Sequence, residues 1–338
     1  MQNYMQAAVI THYGQATPHL QTVPVPAMRP TDVLVKIRAA SINPIDHKTM
    51  AGDLKLLLTY RMPLILGSDF AGEVVAVGTQ VTRFKVGDAV YGRPRKTRIG
   101  TFAEYLAVDA ADIALKPGNL TFNEAAAIPL VGLTSYQALH DVLNVKPGQK
   151  VLIQAGAGGL GTLAIQVAES LGAYVATTTS PRNFDLVRGL GADRVIDYHT
   201  TDFAEVLTNY DAVVDTLGGR QLERAFSVVK RGGQVVSVAG LPNARFAKAY
   251  GLPLWKRELL RIVSHRLTRL ETRTGVSYRF LFMAPSGQEL EDLTALLTTG
   301  QLHPVIDRTF SLQDVDRALD YSRRGHARGK IIVMVAQS

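Results

Sequence analysis

The stretch Gln154-Ala155-Gly156-Ala157-Gly158-Gly159-Leu160-Gly161 constrains this chain more than any other. It follows the apolar run Lys150-Val151-Leu152-Ile153, which reads as a buried parallel strand. It precedes Thr162-Leu163-Ala164-Ile165-Gln166-Val167-Ala168, whose spacing reads as a helix packed on a sheet. Glycines 156, 158 and 161 match the dinucleotide fingerprint. The first permits a tight turn, the second lets backbone approach a pyrophosphate, and the third lets helix and strand pack closely. The helix start then presents free N–H groups and a positive dipole end to an anion. Gly156, Ala157, Gly158, Gly159, Leu160 and Gly161 are accordingly expected to bind cofactor.

Length and composition set the frame around that loop. A chain of 338 residues has material for two domains. Its 46% hydrophobic and 20% charged residues fit a globular enzyme. The segment Met1-Gln2-Asn3-Tyr4-Met5 has neither a basic start nor an apolar core, so a cytoplasmic protein with no membrane partner is expected. There is no cysteine, which excludes disulfides, thiolate chemistry and cysteine-ligated zinc. Net charge is +8, with one basic cluster at Arg93-Pro94-Arg95-Lys96-Thr97-Arg98. A second comprises Lys256, Arg257, Arg261, Arg266, Arg269 and Arg273 on an amphipathic helix whose apolar residues are Trp255, Leu259, Ile262, Val263, Leu267 and Leu270. The first reads as a solvated loop and the second as a solvated basic face over a buried apolar stripe. Without a nucleic-acid-binding motif, no nucleic-acid partner is expected.

Along the chain the grammar changes once. Up to about residue 120, short strands (5–10, 33–41, 71–77, 89–92 and 103–108) are broken by Pro and Gly. Strands at 150–155, 173–178, 194–198, 211–216 and 233–239 then alternate with helices, the pattern of a doubly wound parallel sheet. The tail reads as strand 278–283, helix 287–299, strand 305–310, helix 312–323 and strand 330–335.

Six landmarks appear in order: Ser41-Ile42-Asn43-Pro44-Ile45-Asp46, Leu66-Gly67-Ser68-Asp69-Phe70-Ala71-Gly72, Val86-Gly87-Asp88-Ala89-Val90, the glycine loop, Gly191-Ala192-Asp193 and Gly329-Lys330. With them the chain resembles the medium-chain dehydrogenase/reductase superfamily, in its zinc-independent quinone-oxidoreductase and enone-reductase branch. The resemblance implies an α/β protein with a GroES-like β-barrel domain (residues 1–122 and 301–338) and a Rossmann domain (residues 123–300). Zinc-dependent relatives hold their metal with two cysteines and a histidine. Asn43, Ser68 and Leu130 stand at those positions here, a set that does not make a zinc site, so no metal is expected.

Cofactor choice is read after the second parallel strand. An NAD site places a carboxylate there for the ribose 2′-hydroxyl. This chain has Thr177-Thr178-Thr179-Ser180-Pro181-Arg182, hydroxyls and a guanidinium that suit a 2′-phosphate, so NADPH is expected. Many relatives carry a lysine where Asn183 stands, and Arg182 would substitute from one residue away. By resemblance Thr134 lies near the nicotinamide ribose and Tyr198 along the adenine ribose. Thr178, Thr179, Thr216, Leu217, Ala239, Gly240, Phe280, Phe282 and Lys330 complete the expected cofactor set. The strand from Tyr278 to Met283 is implied to join two copies into a homodimer.

Without a metal, a nicotinamide can deliver hydride to an electron-poor carbon, and the natural small-molecule acceptors are quinones and α,β-unsaturated carbonyls. Protein donors then need only stabilise the developing oxyanion and supply a proton. By resemblance Asn43 and Lys48 face the nicotinamide ribose and the substrate oxygen, while Lys48 as a solvated helix residue stays open. Asp46 braces the loop or acts in it. Tyr60 and Tyr136 are proton donors or core aromatics. The rival readings are a non-catalytic NADPH-binding sensor and an acyl-thioester enoyl reductase.

Overall fold

The computed structural model describes residues 3–335. Met1 and Gln2, the start of the N-terminal segment read above, lie outside the described residues, as do Ala336, Gln337 and Ser338. The chain divides into two compact units, Met1–Leu133 with Ala284–Ser338, and Thr134–Met283. Residues 123–133 and 284–300, read from sequence as part of the second domain, therefore belong to the first unit. The physical reason is visible at the helix Gly287–Thr298. Its Leu290, Leu293 and Leu297 are buried, Tyr91 donates its hydroxyl to Leu290 O at 2.8 Å, and Asn119 donates to Leu297 O at 3.0 Å. Even a methyl at Gly287 would come within 2.5 Å of Ile113 O. No helix among the described residues is long and apolar enough to cross a membrane.

In the first unit the strand Asp32–Ile42 is the hub. It pairs antiparallel with Asp69–Val77, Tyr105–Asp109 and Lys330–Met334, and the first and last of these, distant in sequence, meet at its Ile42 end. The sequence reading missed the short strands His19–Pro24, Leu64–Ile65 and Ile113–Leu115. None of these carries a run of alternation long enough to register. The first basic cluster is also not a solvated loop. Arg98 pairs bidentately with buried Asp32 at 2.8 and 2.6 Å, Arg95 pairs with Asp112, and Arg93 is 1% exposed.

The second unit is an all-parallel sheet in the order Arg194–Asp197, Tyr174–Thr179, Lys150–Ile153, Tyr210–Asp215, Val229–Ser237, Ser277–Phe280. Chain order reverses beside Lys150–Ile153, where a doubly wound sheet opens its crevice. The last strand stops at Phe280, short of the expected Met283. On its outer side, Tyr278 N–H donates to Glu271 Oε1 at 2.7 Å and its carbonyl accepts from Arg245 at 3.0 Å. Side chains thus cover the sheet edge at that residue.

The second basic cluster lies on two helices, Leu254–Val263 and His265–Thr274. Only Leu260 and Leu267 of the pair are buried, while Trp255 is 62% and Ile262 65% exposed. The expected buried stripe is therefore open on the first of these helices. A break at Ser264 rotates the second helix onto the sheet and leaves the first behind.

The glycines of the loop divide by packing. A Cβ on Gly156 would sit 2.1 Å from Thr177 Oγ1, and one on Gly161 would sit 2.3 Å from Ala155 O. One on Gly158 would meet only Ala155 O, at 3.4 Å. Gly156→Ala is expected to destabilise by about 1–3 kcal/mol through overpacking. Gly158→Ala should cost under about 1 kcal/mol, the helix-cap preference alone. Thermal midpoints of the two variants check this; equal losses would contradict the assignment.

Candidate active site

The first-unit site is built where the hub strand turns into the helix Pro44–Ala51. Proline at the first helical position forfeits an N–H that has no intrahelical partner anyway. Asp46 reaches back to accept the Asn43 N–H at 2.8 Å. Gly52, at φ 86°, ends the helix and donates to Lys48 O. Asn43 is thus fixed at the junction, fully buried. Its Nδ2 donates to Asp69 Oδ2 at 2.9 Å and its Oδ1 accepts from Lys330 Nζ at 2.5 Å.

Lys330, expected among the cofactor residues, is 3% exposed and commits its Nζ to the first unit. The three acceptors around it are Asn43 Oδ1, Ile42 O at 3.2 Å and Asp69 Oδ2 at 3.4 Å. Three acceptors match the three donors of an ammonium, so the geometry holds the charged form although burial pulls its pKa down. Asp69 also accepts from Ser41 Oγ at 2.7 Å and from Leu130 N–H at 2.8 Å. Ser68 donates to Asp46 Oδ1 at 3.1 Å. Asn43, Ser68 and Leu130, which resemblance sets at the zinc-ligand positions, all enter this network: two by side chain and Leu130 by its backbone. Their donors and acceptors are turned on one another and on two aspartates, so the residues present do not fit a catalytic zinc. The described residues contain no group of three or more His, Asp or Glu that could hold a metal ion.

Burial is the main reason that the carboxyl of Asp46 is pushed up to about 7, and the nearby charge of Asp69 adds to it against the Asn43 N–H and Ser68 bonds. Neighbouring His47 is pulled down to about 4, first by burial and then by Arg323. Of the other expected catalytic residues, Lys48 is exposed. Tyr60 is half-buried and donates its hydroxyl to Lys96 O at 2.8 Å. Burial, with Arg93 adding repulsion, pulls the Lys96 ammonium down to about 7. Sequence reasoning missed Asp69, Arg93 and the destination of Lys330. No local pattern marks them, because strand pairing brings them together from positions far apart in the chain.

The second unit gathers most of the expected cofactor residues at the carboxyl ends of its strands. The glycine loop follows the first strand; Thr178 and Thr179 end the second, with Ser180 and Arg182 after them; Tyr198 follows the third, Thr216 and Leu217 the fourth, and Ala239 and Gly240 the fifth; Phe280 ends the last, with Phe282 beyond it. Thr134 lies elsewhere, buried in the helix Pro129–Tyr136. Two threonines brace the loop: Thr178 Oγ1 accepts from Ala155 N–H at 3.1 Å, and Thr216 Oγ1 donates to Gln154 O at 3.1 Å. Asp215, unremarked in the sequence, holds the next loop by accepting from Leu217 and Gly218 N–H. Arg182 and Tyr198 are exposed. The cradle fits a dinucleotide. The helix Gly159–Ser170 opens on the unobstructed Gly158, and the buried Gln154 Oε1 and Asn183 Oδ1 have no partner among the described residues.

The raised carboxyl predicts a pH signature. A proton held by folded Asp46 stabilises fully below its ordinary value of 3.8, and that contribution fades as pH rises and is gone above about 7. His47 works oppositely, its contribution being lost as pH falls from 6.5 to about 4. The stability difference between wild type and Asp46→Asn should therefore change by about 1.4 kcal/mol per pH unit between these limits and stay flat above pH 7. Denaturant titrations at pH 4.5, 6 and 8 measure it. A constant difference would place Asp46 ionised throughout.

Comparison with known proteins agrees with this layout. A family model described as an alcohol dehydrogenase GroES-like domain matches residues 29–118, and one described as a zinc-binding dehydrogenase matches residues 190–333. A 2-methylene-furan-3-one reductase from Solanum lycopersicum is 36% identical, over 92% of this chain and 74% of its own. A chloroplast envelope quinone oxidoreductase homolog from Arabidopsis thaliana is 32% identical, over 97% of this chain and 98% of its own. The solved quinone oxidoreductase from Coxiella burnetii is 34% identical, with a TM-score of 0.84 over 98% of this chain and 100% of that one. The chain belongs to the medium-chain dehydrogenase/reductase superfamily, in its quinone-oxidoreductase and enone-reductase branch, and is an oxidoreductase that uses a nicotinamide cofactor.

Proposed function

We propose that this protein is a zinc-independent, NADPH-dependent reductase of quinones or α,β-unsaturated carbonyl compounds. The observation that carries the reading is the pair of features just described: a dinucleotide cradle in one unit, and in the other a metal position filled by its own hydrogen-bond network. The relatives named for a quinone and for an enone support the same acceptor class. A nicotinamide bound at the glycine loop supplies the hydride. The chain's own residues do the rest. Backbone N–H groups of Gly159, Leu160 and Gly161 bind the pyrophosphate, and Thr178 and Thr216 hold that loop in shape.

Asn43 and Asp46 fix the start of the helix that carries Lys48, and Lys48 offers a mobile cation to an oxygen on which charge develops. Asp46 and Tyr60 already use their polar atoms inside the unit, which suits positioning more than proton transfer. Water, Lys48 and Tyr136 are the remaining proton sources. Lys48→Met should lower kcat and kcat/KM together by about 10²-fold with both a quinone and an enal. A rise in the NADPH dissociation constant at unchanged kcat would make Lys48 a cofactor-holding residue instead. Wild-type kinetics would leave it on the solvated surface.

NADPH rather than NADH is favoured because no carboxylate follows the strand Tyr174–Thr179, while Ser180 and the exposed Arg182 do. Arg182→Ala is expected to raise the NADPH dissociation constant at least tenfold, about 1.4 kcal/mol, and to leave NADH nearly untouched. Equal losses for both cofactors would contradict a 2′-phosphate role. A homodimer through the Tyr278–Met283 edge and a cytoplasmic location remain parts of this proposal. Because Arg245 and Glu271 cover Tyr278, strand pairing between copies would have to begin beyond that residue or displace both side chains.

A further inference from the structure

In the second unit the helices Gly219–Val228 and His265–Thr274 bury Leu222, Phe226 and Leu267 against the sheet. Their outer faces enclose a groove of about 510 Å³. Arg220 and Arg224 line it from one helix at i, i+4 spacing, and Arg266, Arg269 and Arg273 from the other at i, i+3 and i+7. Leu270 lies between them as an apolar wall, and Glu223 is the only acidic residue lining the groove.

Two of the five guanidiniums are matched. Arg224 pairs with Asp202 and Arg266 with Glu223, each at 2.6 Å. Arg220, Arg269 and Arg273 have no hydrogen bond or ion pair among the described residues. Elsewhere Arg38, Arg83, Arg95, Arg98, Arg188, Arg245, Arg261, Arg317 and Arg323 each pair with a carboxylate. Gathering three unmatched charges around one concavity works against folding unless something negative enters it.

We propose that this groove is a second anion-binding site, separate from the glycine loop, for a compact ligand bearing two or more linked phosphate groups. Arginine forks bind phosphate oxygens bidentately and stay charged at any physiological pH. Three unmatched guanidiniums complement roughly the charge of a di- or triphosphate, and the volume is that of a small-molecule site rather than a track for a polymer. The preceding helix, Leu254–Val263, exposes Leu254, Trp255 and Ile262, so on that side a nucleic-acid backbone would meet an apolar surface. The groove shares no residue with the glycine loop, and the proposal does not depend on which acceptor the enzyme reduces.

The test is calorimetric titration of inorganic triphosphate, and in a parallel arm ATP, into the full chain saturated with NADPH in low salt. One site per chain is expected. Arg269→Gln with Arg273→Gln should weaken it at least tenfold while leaving NADPH affinity and basal turnover unchanged, and Arg317→Gln should leave it intact. Lysine at both positions should restore part of the affinity. Equal affinity for the two ligands assigns recognition to the phosphates, and tighter ATP binding adds a nucleoside contact. Three results would each overturn the proposal. One is no saturable binding to the NADPH-loaded protein. Another is binding unaffected by the double substitution. The third is affinity for single-stranded DNA that grows with length and exceeds that for triphosphate.

Discussion

The bond between Lys330 and Asn43, with Asp69 completing the triangle, is the interaction on which the first unit's site depends. Each member comes from a different stretch of chain: the end of the hub strand, the strand that pairs with it, and the strand that returns from the C-terminus. Taking an ammonium and a carboxylate out of water is costly, and such a pair survives only when further hydrogen bonds complete its shell. Here Ser41, Ile42 and Leu130 complete it. Removing one partner would strand the other as an unpaired buried charge. The cluster therefore fixes the junction at Asn43, and with it the helix that presents Lys48.

The same arrangement supports the proposed zinc-free reading of a chain without cysteine. At the positions that resemblance assigns to the zinc ligands, the Asn43 and Ser68 side chains and the Leu130 backbone N–H satisfy their neighbours. The carboxylates that remain nearby are either paired, as Asp69 is, or carry a proton easily, as Asp46 does. Charge is balanced inside the unit, so nothing there calls for a divalent cation.

The fold was largely legible because its strongest signals are local. A strand, a glycine turn and a helix in immediate succession identified the parallel sheet, and packing at Gly156 and Gly161 explains why two of the glycines stand where they do. The strand-end places of the proposed cofactor residues were legible for the same reason, since chain order alone sets them. The candidate catalytic cluster was not. Asp69 and Lys330 are 261 positions apart, and nothing near either residue shows that antiparallel pairing brings their side chains together. The basic clusters misled for a related reason: periodicity finds an amphipathic face but does not say whether that face meets a core. At Trp255 and Ile262 it meets solvent, while Arg93, in what reads as a charged loop, is sealed inside.

The proposed zinc-free reductase requires that a closed hydrogen-bond network, not a metal, occupy the position of Asn43, Ser68 and Leu130. The most direct measurement is elemental analysis of the purified protein paired with NADPH-dependent reduction of a quinone before and after exhaustive chelation. No stoichiometric zinc and an unchanged rate are expected. Stoichiometric zinc whose removal abolishes turnover, and whose return restores it, would contradict the zinc-free reading.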